Sequence, residues 1–359
     1  MQIKVPGKLY IGGEYAVVEP GQSAILVAID KFVFADINPS AVGEIRSTQL
    51  PDAVINWTRV NDQLMIQVDS NLEFIAAALQ ITFNYFKKHA WPFEDFSLVI
   101  DSQLDHTNGL KLGLGSSAAV TVAVVKAILA FHHRSLQALE IYKLAALAHF
   151  QVQGNGSLGD IATSVYTGWI SYNSPDRTWF STQTDDLLDA SLVDAEWPEL
   201  NIQSIPTPTN LELLVGWTGS PAKTKNLLKK AASYTDDSTY RDFLAGSNAA
   251  VSMLLNGLLT NEFGDIQRGI ALNREFLLTL STQTDIEIET PLLRTLVEIA
   301  TNMGGAAKTS GAGFGDNGFT LITPEANREQ IIDSWQAAGI TPLSLQPYIS
   351  PASLLESEE

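Results

Sequence analysis

The chain has no cysteine, which removes disulfides, thiolate metal sites and cysteine nucleophiles together. It is also poor in positive charge: 22 Lys and Arg stand against 40 Asp and Glu, a net charge of −18. A nucleic acid or an anionic membrane needs a basic face, so neither is an expected partner. A small anionic ligand is not excluded, because a few local lysines and backbone N–H groups outweigh a distant negative surface. The five histidines (His89, His106, His132, His133 and His149) show no HExxH or similar metal-ligating spacing. No signal-peptide core follows Met1, and the most apolar window, Ala118 to Phe131, is interrupted by Lys126 and too short to span a bilayer. The expectation is a soluble, cytoplasmic protein, monomer or homodimer.

What the chain does have is apolar content. Hydrophobic residues are 45% and charged residues 17% of 359, enough to build two cores of ordinary size. Residues 1–38 and 47–69, and the segment from Phe96, read as strands. Residues 71–88 place Leu72, Ile75, Leu79, Phe83 and Phe86 at helical spacing, with Asn71 as a cap. Helices are expected after the Gly-Ser stretch, at 135–150, and repeatedly up to Met303. The polar, acidic, proline-containing stretch 174–209 reads mostly as loop with some strand, and a division into 1–190 and 191–359 is placed there. Strands dominate the first third and helices the last half, without βαβα alternation, so the fold class is α+β.

The chemistry is in the glycine loops. GLGSSAA, from Gly113, runs into an apolar helix. Unpaired N–H groups and the dipole at a helix start favour an anion, and glycines let the backbone approach it. Alone, the stretch fits a phosphate cradle or a serine-capped buried helix equally. The P-loop pattern GxxxxGK[ST] is absent. Gly113, Gly115 and Ala118 satisfy the dinucleotide spacing, but no second strand ending in an acid follows at His132 to Gln137. Four further loops stand out: Gly7-Lys8 with Gly12 and Gly13; Gly154, Gly156 and Gly159 around Ser157 and leading to Asp160; Thr218-Gly219-Ser220 before Pro221; and Gly311, Gly313, Gly315 and Gly318. Each alone has a plain reading as solvated lysine, helix cap or tight turn. Together, in so acidic a chain, they point to an anion-handling site.

PGKLYIGGEYAVVEPGQSAI, GLGSSAAVTVAVVKA and KTSGAGFGDNGFTLI resemble the three signature segments of the GHMP small-molecule kinases, in the family's order and across essentially the whole chain. Three stretches, GKLYIGGEYAVVEPG, GNGSLGDIATSVYTG and VGWTGSPAKT, are similar to the branch that phosphorylates phosphomevalonate on the route to isopentenyl diphosphate; Tyr15 stands where mevalonate kinases carry histidine. The resemblance implies ATP and Mg2+ as co-reactants. It implies two α+β lobes, the first strand-rich and the second helix-rich and ferredoxin-like, with the site in the cleft between them. Gly113, Leu114, Gly115, Ser116, Ser117 and Ala118 would wrap the ATP phosphates, with Ser117 on the metal. Lys8 and Asp160 would be the active-site pair, Asp160 chiefly orienting Lys8. Gly311, Ala312 and Gly313 would close over the reacting phosphates, and Tyr15, Ser157, Gly219, Ser220 and Lys223 would lie near the acceptor. Lys111 and Lys308 are further candidates for positive charge. Gly109 replaces a proline frequent in the family. His149 occupies the place of a metal-binding glutamate of mevalonate kinases, and as a poor magnesium ligand it reads as a packing residue. The open alternatives are a kinase with an alcohol acceptor, a silent nucleotide-binding regulator and a dinucleotide enzyme.

Overall fold

The computed structural model describes residues 1–67, 72–105, 111–219, 238–313 and 316–351. The expectations for Asn71, Gly109, Ser220 and Lys223 therefore lie outside the described residues.

Strand β1 (Gln2–Gly12) pairs antiparallel with the long β2 (Ser23–Pro39). Around them come β3 (Gly43–Ser47), β4 (Leu50–Val60), β5 (Gln63–Gln67), β6 (Phe96–Ser102), β7 (Trp169–Asn173) and β8 (Asn201–Ile205). They form an eight-stranded sheet in the order β5-β4-β3-β6-β2-β7-β8, with β1 joined to β2. Among the described strands of this sheet every pairing is antiparallel except β3 with β6. Ala24 to Ile29 of β2 are all fully buried, the continuous apolar run of a strand covered on both faces. The helices Glu73–Lys88, Ser116–Phe131, Ala138–Gln153 and Gly159–Tyr166 form one layer, with Ser116–Phe131 innermost, against β1 and β2.

The second lobe is built on an antiparallel sheet of β9 (Glu212–Trp217), β10 (Ala306–Ser310), β11 (Asn317–Ile322) and β12 (Thr341–Leu343), in the order β10-β11-β9-β12. Helices Pro291–Asn302 and Arg328–Ala337 cover it through Leu296, Ile331 and Trp335. The helical pair Ser238–Thr260 and Phe263–Thr284 sits between the lobes. Its Val251, Leu254, Ile266 and Ile270 belong to the same apolar cluster as β1 and β2, so the core is continuous across the cleft. Ser238–Thr260 is the one described helix long and apolar enough, by length and composition alone, to cross a bilayer; here it packs on its partner helix and on β2.

Two expectations change. The 174–209 stretch holds two short helices, Arg177–Gln183 and Ser191–Asp194, where loop was expected. Asp176 caps the first by accepting from Thr178 N–H at 2.9 Å, and Phe180 is anchored on Trp197 with ring centroids 4.6 Å apart. The strand expected over 341–347 ends at Leu343, and the chain then returns to the first sheet, where Tyr348 N–H donates to the Ala28 carbonyl at 2.8 Å. The first sheet also runs past residue 191, as far as Ile205 in β8.

Leu254 is fully buried where the helical pair meets the first sheet; a side chain on Gly12 would touch its Cδ2 at 3.1 Å. Leu254→Ala is expected to lower stability by about 2–5 kcal/mol in urea unfolding without changing the fold.

Candidate active site

Ser116–Phe131 begins at Gly115, which has φ 83°, and no side chain caps it. Its first amides therefore stay available to a ligand, with roughly half a unit of positive charge from the helix dipole. The helix is buried almost throughout, so this end is rigid. Gly113, Leu114, Gly115, Ser116 and Ser117 all line a cavity of about 380 Å³ between the lobes. Thus the two readings of the GLGSS stretch, cradle and buried-helix entry, hold together.

Lys8 is brought to the same cavity by β1 and is 8% exposed. Its ammonium donates to the Gly113 carbonyl at 3.3 Å and lies 5.2 Å from the Tyr10 ring centroid. Its backbone N–H donates to the Leu114 carbonyl at 2.9 Å. Gly115 must be glycine twice over: its φ is left-handed, and a Cβ would stand 2.9 Å from Lys8 Cε. The expected pairing with Asp160 is not formed; among the described residues Lys8 makes no ion pair with it, because the Gly113 carbonyl and the Tyr10 ring hold the ammonium instead.

The second wall is the loop before the Gly159–Tyr166 helix. Ser157 Oγ accepts from Gly159 N–H at 3.2 Å and is 2.8 Å from the Tyr10 hydroxyl. Asp160 is in the first turn of that helix rather than at its cap, and its carboxylate accepts from Ile161 N–H at 3.1 Å. Arg177 holds the loop from outside by donating to the carbonyls of Gly156 and Val18. His149 does pack, with 1% exposure and its ring stacked on Phe74, but it also lines the cavity and places Nε2 3.2 Å from Ser117 Oγ. Burial pushes its imidazole below the usual histidine range, with Asp160 opposing.

The third wall forms where the second lobe meets the residues that follow β1. Glu14 and Lys308 form an ion pair with both side chains out of solvent, and Glu14 also accepts from Gly311 N–H at 3.3 Å. Tyr15, with a left-handed φ of 61°, donates its hydroxyl to the Ala312 carbonyl at 2.7 Å. Asp316 leans on the phosphate loop: a Cβ on Gly113 would overlap its carboxylate, 1.9 Å from Oδ2. Its neighbour Asn317 donates to the Leu112 carbonyl, and Thr218 N–H donates to the Asp316 carbonyl at 3.0 Å. Asp316 Oδ1 is buried with no hydrogen-bond partner. Burial raises this carboxyl to about 6 although Lys8 pulls the other way.

Lys8, Tyr15, Gly113 to Ser117, Ser157, Asp160, Gly311 and Ala312 thus converge as expected. Three expected residues do not. Ala118 is fully buried behind the loop, in the helix core. Gly313 turns against Ile288, where a Cβ would lie 2.0 Å from the carbonyl oxygen. Gly219 is exposed beside the cavity rather than lining it, and Ser220 and Lys223 lie outside the described residues. Lys308 is fully buried and committed to Glu14, so it brings no net positive charge; Lys111 does line the cavity. Trp57, in β4, is core, packed against Phe93 and Phe96.

Tyr10, Glu14 and Asp316 were missed. For Tyr10 the signal existed: two positions beyond Lys8 in a strand is the same face. Glu14 and Asp316 acquire their roles only through partners in the other lobe. Because the Asp316 carboxyl binds its proton more tightly folded than unfolded, its stabilising contribution is complete below 3.8 and is lost as the pH rises through about 6. Asp316→Asn is therefore expected to be more stable than the parent by about 1–3 kcal/mol above neutral pH, the gap closing near pH 4, as read by urea unfolding across pH.

Comparison with known proteins agrees with this geometry. The GHMP kinases N terminal domain matches residues 73–168, and the GHMP kinases C terminal domain matches residues 254–341. A phosphomevalonate kinase of Streptomyces sp. (strain CL190) is 34% identical over 358 residues, covering 95% of this chain and 96% of that protein. A mevalonate kinase of Methanocaldococcus jannaschii is 24% identical over 341 residues, covering 92% and 94%. The structure of Streptococcus pneumoniae phosphomevalonate kinase in complex with phosphomevalonate and AMPPNP superposes with a TM-score of 0.85 at 28% identity, covering 97% of this chain and 100% of that one. With two α+β lobes, a glycine-serine loop on a buried helix and a lysine at the cleft, the chain belongs to the GHMP kinase family.

Proposed function

We propose that the protein transfers the γ-phosphoryl group of ATP to the phosphate of phosphomevalonate, giving ADP and diphosphomevalonate. The observation that carries this reading is the place of Lys8. Its ammonium stands where the phosphate loop and the Ser157 loop meet, bonded to Gly113 of the first and stacked over the tyrosine that holds the second. In the reaction an acceptor phosphate oxygen attacks the γ-phosphorus, and the bond from that phosphorus to the β-phosphate oxygen breaks. The demand is for positioning and for cancelling charge between two polyanions. The helix amides from Ser116 hold the donor, and Lys8 bridges the transferred group and the acceptor. The phosphomevalonate kinase relatives support the acceptor.

The acceptor chemistry also sets the role of Asp160. A phosphomonoester has its second pKa at about 6 and is already largely a dianion at neutral pH, so no base is required. Asp160, bonded to its own helix start, tunes the field around Lys8 and Tyr10 rather than removing a proton.

The donor set fits magnesium carried in with the nucleotide. Ser117 Oγ and the Asp160 carboxylate line the cavity and would offer it oxygen ligands, and no cluster of three His, Asp or Glu occurs among the described residues, so phosphate oxygens and water would complete the shell. Magnesium, when bound, screens the triphosphate and draws charge from the leaving diphosphate.

Purified protein with ATP is expected to release ADP with phosphomevalonate and not with mevalonate; the reverse preference overturns the reading. Lys8→Met is expected to lower kcat at least about 10²–10³-fold with its thermal midpoint retained. Asp160→Asn is expected to lower kcat with phosphomevalonate by less than about 10²-fold, and complete loss with phosphomevalonate would make Asp160 a base.

A further inference from the structure

Tyr10 is tied on four sides. Its N–H donates to Ser310 Oγ at 3.1 Å, and the same hydroxyl donates to the Tyr10 carbonyl at 2.8 Å, fixing this point of β1 to β10 of the other lobe. Its ring face carries the Lys8 ammonium at 5.2 Å, and its hydroxyl meets Ser157 Oγ at 2.8 Å. The fit leaves no spare room, since a Cβ on Gly159 would come within 3.0 Å of that hydroxyl. The Ser157 loop is also held from below: the Tyr172 hydroxyl donates to the Ser157 carbonyl, and Tyr172 is in turn 3.0 Å from the Tyr142 hydroxyl.

The protons around Ser157 can be counted. A serine hydroxyl has one hydrogen to give and two lone pairs to receive with. One lone pair takes Gly159 N–H. Burial, followed by the charge of Asp160, keeps the Tyr10 phenol protonated at neutral pH, and among the described residues Ser157 Oγ is the one hydrogen-bond partner of this buried hydroxyl, so its hydrogen is satisfied by donating there. With Tyr10 donating into the second lone pair, the Ser157 hydrogen is left to point into the cavity that both residues line. An anionic acceptor oxygen there receives a charge-assisted hydrogen bond. If Ser157 donated to Tyr10 instead, it would offer that oxygen only lone pairs.

We infer that Tyr10 is a positioning residue of the transfer: its ring fixes where the Lys8 ammonium stands, and its hydroxyl turns the Ser157 O–H onto the acceptor phosphate. This rests on the proposed reaction. Tyr10 acts through Lys8 and Ser157, coupling the position of the cation to the orientation of the acceptor.

The test is a double-mutant cycle with ATP and phosphomevalonate. Tyr10→Phe keeps the ring and removes only the hydroxyl; the KM for phosphomevalonate is expected to rise about 5- to 20-fold while the KM for ATP stays within about twofold. Ser157→Ala is expected to raise the same KM by a similar factor, and the double variant to be no worse than Ser157→Ala alone. Tyr10→Leu, which removes the ring face, is expected to lower kcat by about tenfold in addition. An unchanged phosphomevalonate KM in Tyr10→Phe, an unchanged one in Ser157→Ala, or losses that multiply in the double variant each overturn the inference. Thermal melts separate positioning from structure: a fall in midpoint with both KM values rising together means a merely structural tyrosine, and also overturns it. A parent protein inactive on phosphomevalonate overturns the proposed reaction instead, whereas an active parent with an indifferent Tyr10→Phe overturns this inference alone.

Discussion

The cleft depends on one buried ion pair. Glu14 and Lys308 are 294 positions apart, one at the end of β1 and the other in β10, and their side chains are 2% and 0% exposed. Placing two charges out of water is costly, and apolar replacements of such pairs are often no less stable. Its effect here is geometric. The Lys308 ammonium also donates to the Thr309 carbonyl at 2.7 Å, and Glu14 accepts from Gly311 N–H, so the pair fixes the backbone of the glycine turn as well as the two side chains. Beside it, the Tyr15 hydroxyl donates to the Ala312 carbonyl, a second tie to the same turn that completes the third wall of the cavity. Burial lowers the Lys308 ammonium below the usual lysine range, and the Glu14 carboxylate opposes it.

Much of the site was legible in the sequence because its backbone features are local. The Gly113 to Ser117 loop is a contiguous statement, with glycines at left-handed φ and an apolar helix behind them. The same holds for Ser157, two residues before the glycine that opens a helix, and Asp160, directly after it. What failed was of two kinds. Ala118 and Gly313 lie within motifs that do form the site, but the helical and turn geometry points one into the core and the other at Ile288. Lys308 looked like a free cation because the chain gives no sign that Glu14 will meet it. Asp316 likewise reads as a turn residue until its carboxylate is found against Gly113, about two hundred positions away in sequence. The two short helices in 174–209 were hidden because four and seven residues are too few to show a period; the first is held by a capping aspartate and by the aromatic contacts of Phe180.

The electrostatics of the cavity are balanced in an unexpected direction for a site that must hold two polyanions. Among the described residues, four carboxylates, Glu14, Asp105, Asp160 and Asp316, line it against two lysines, Lys8 and Lys111. Of the four, Glu14 is spent on Lys308. The oriented backbone amides at the start of the Ser116–Phe131 helix add partial positive charge without adding a titratable group.

The chain leaves the first sheet after Ile205 and rejoins it at Gln346, where Asp30 N–H donates to the Gln346 carbonyl at 3.0 Å and Asp30 Oδ1 accepts from Gln346 N–H at 2.8 Å. The second lobe is thus topologically an insertion, with a covalent crossing to the first at each of its ends rather than strung after it. A lobe entered and left through its neighbour is no free tail: any shift of it loads both crossings together with the apolar core that runs beneath the cleft.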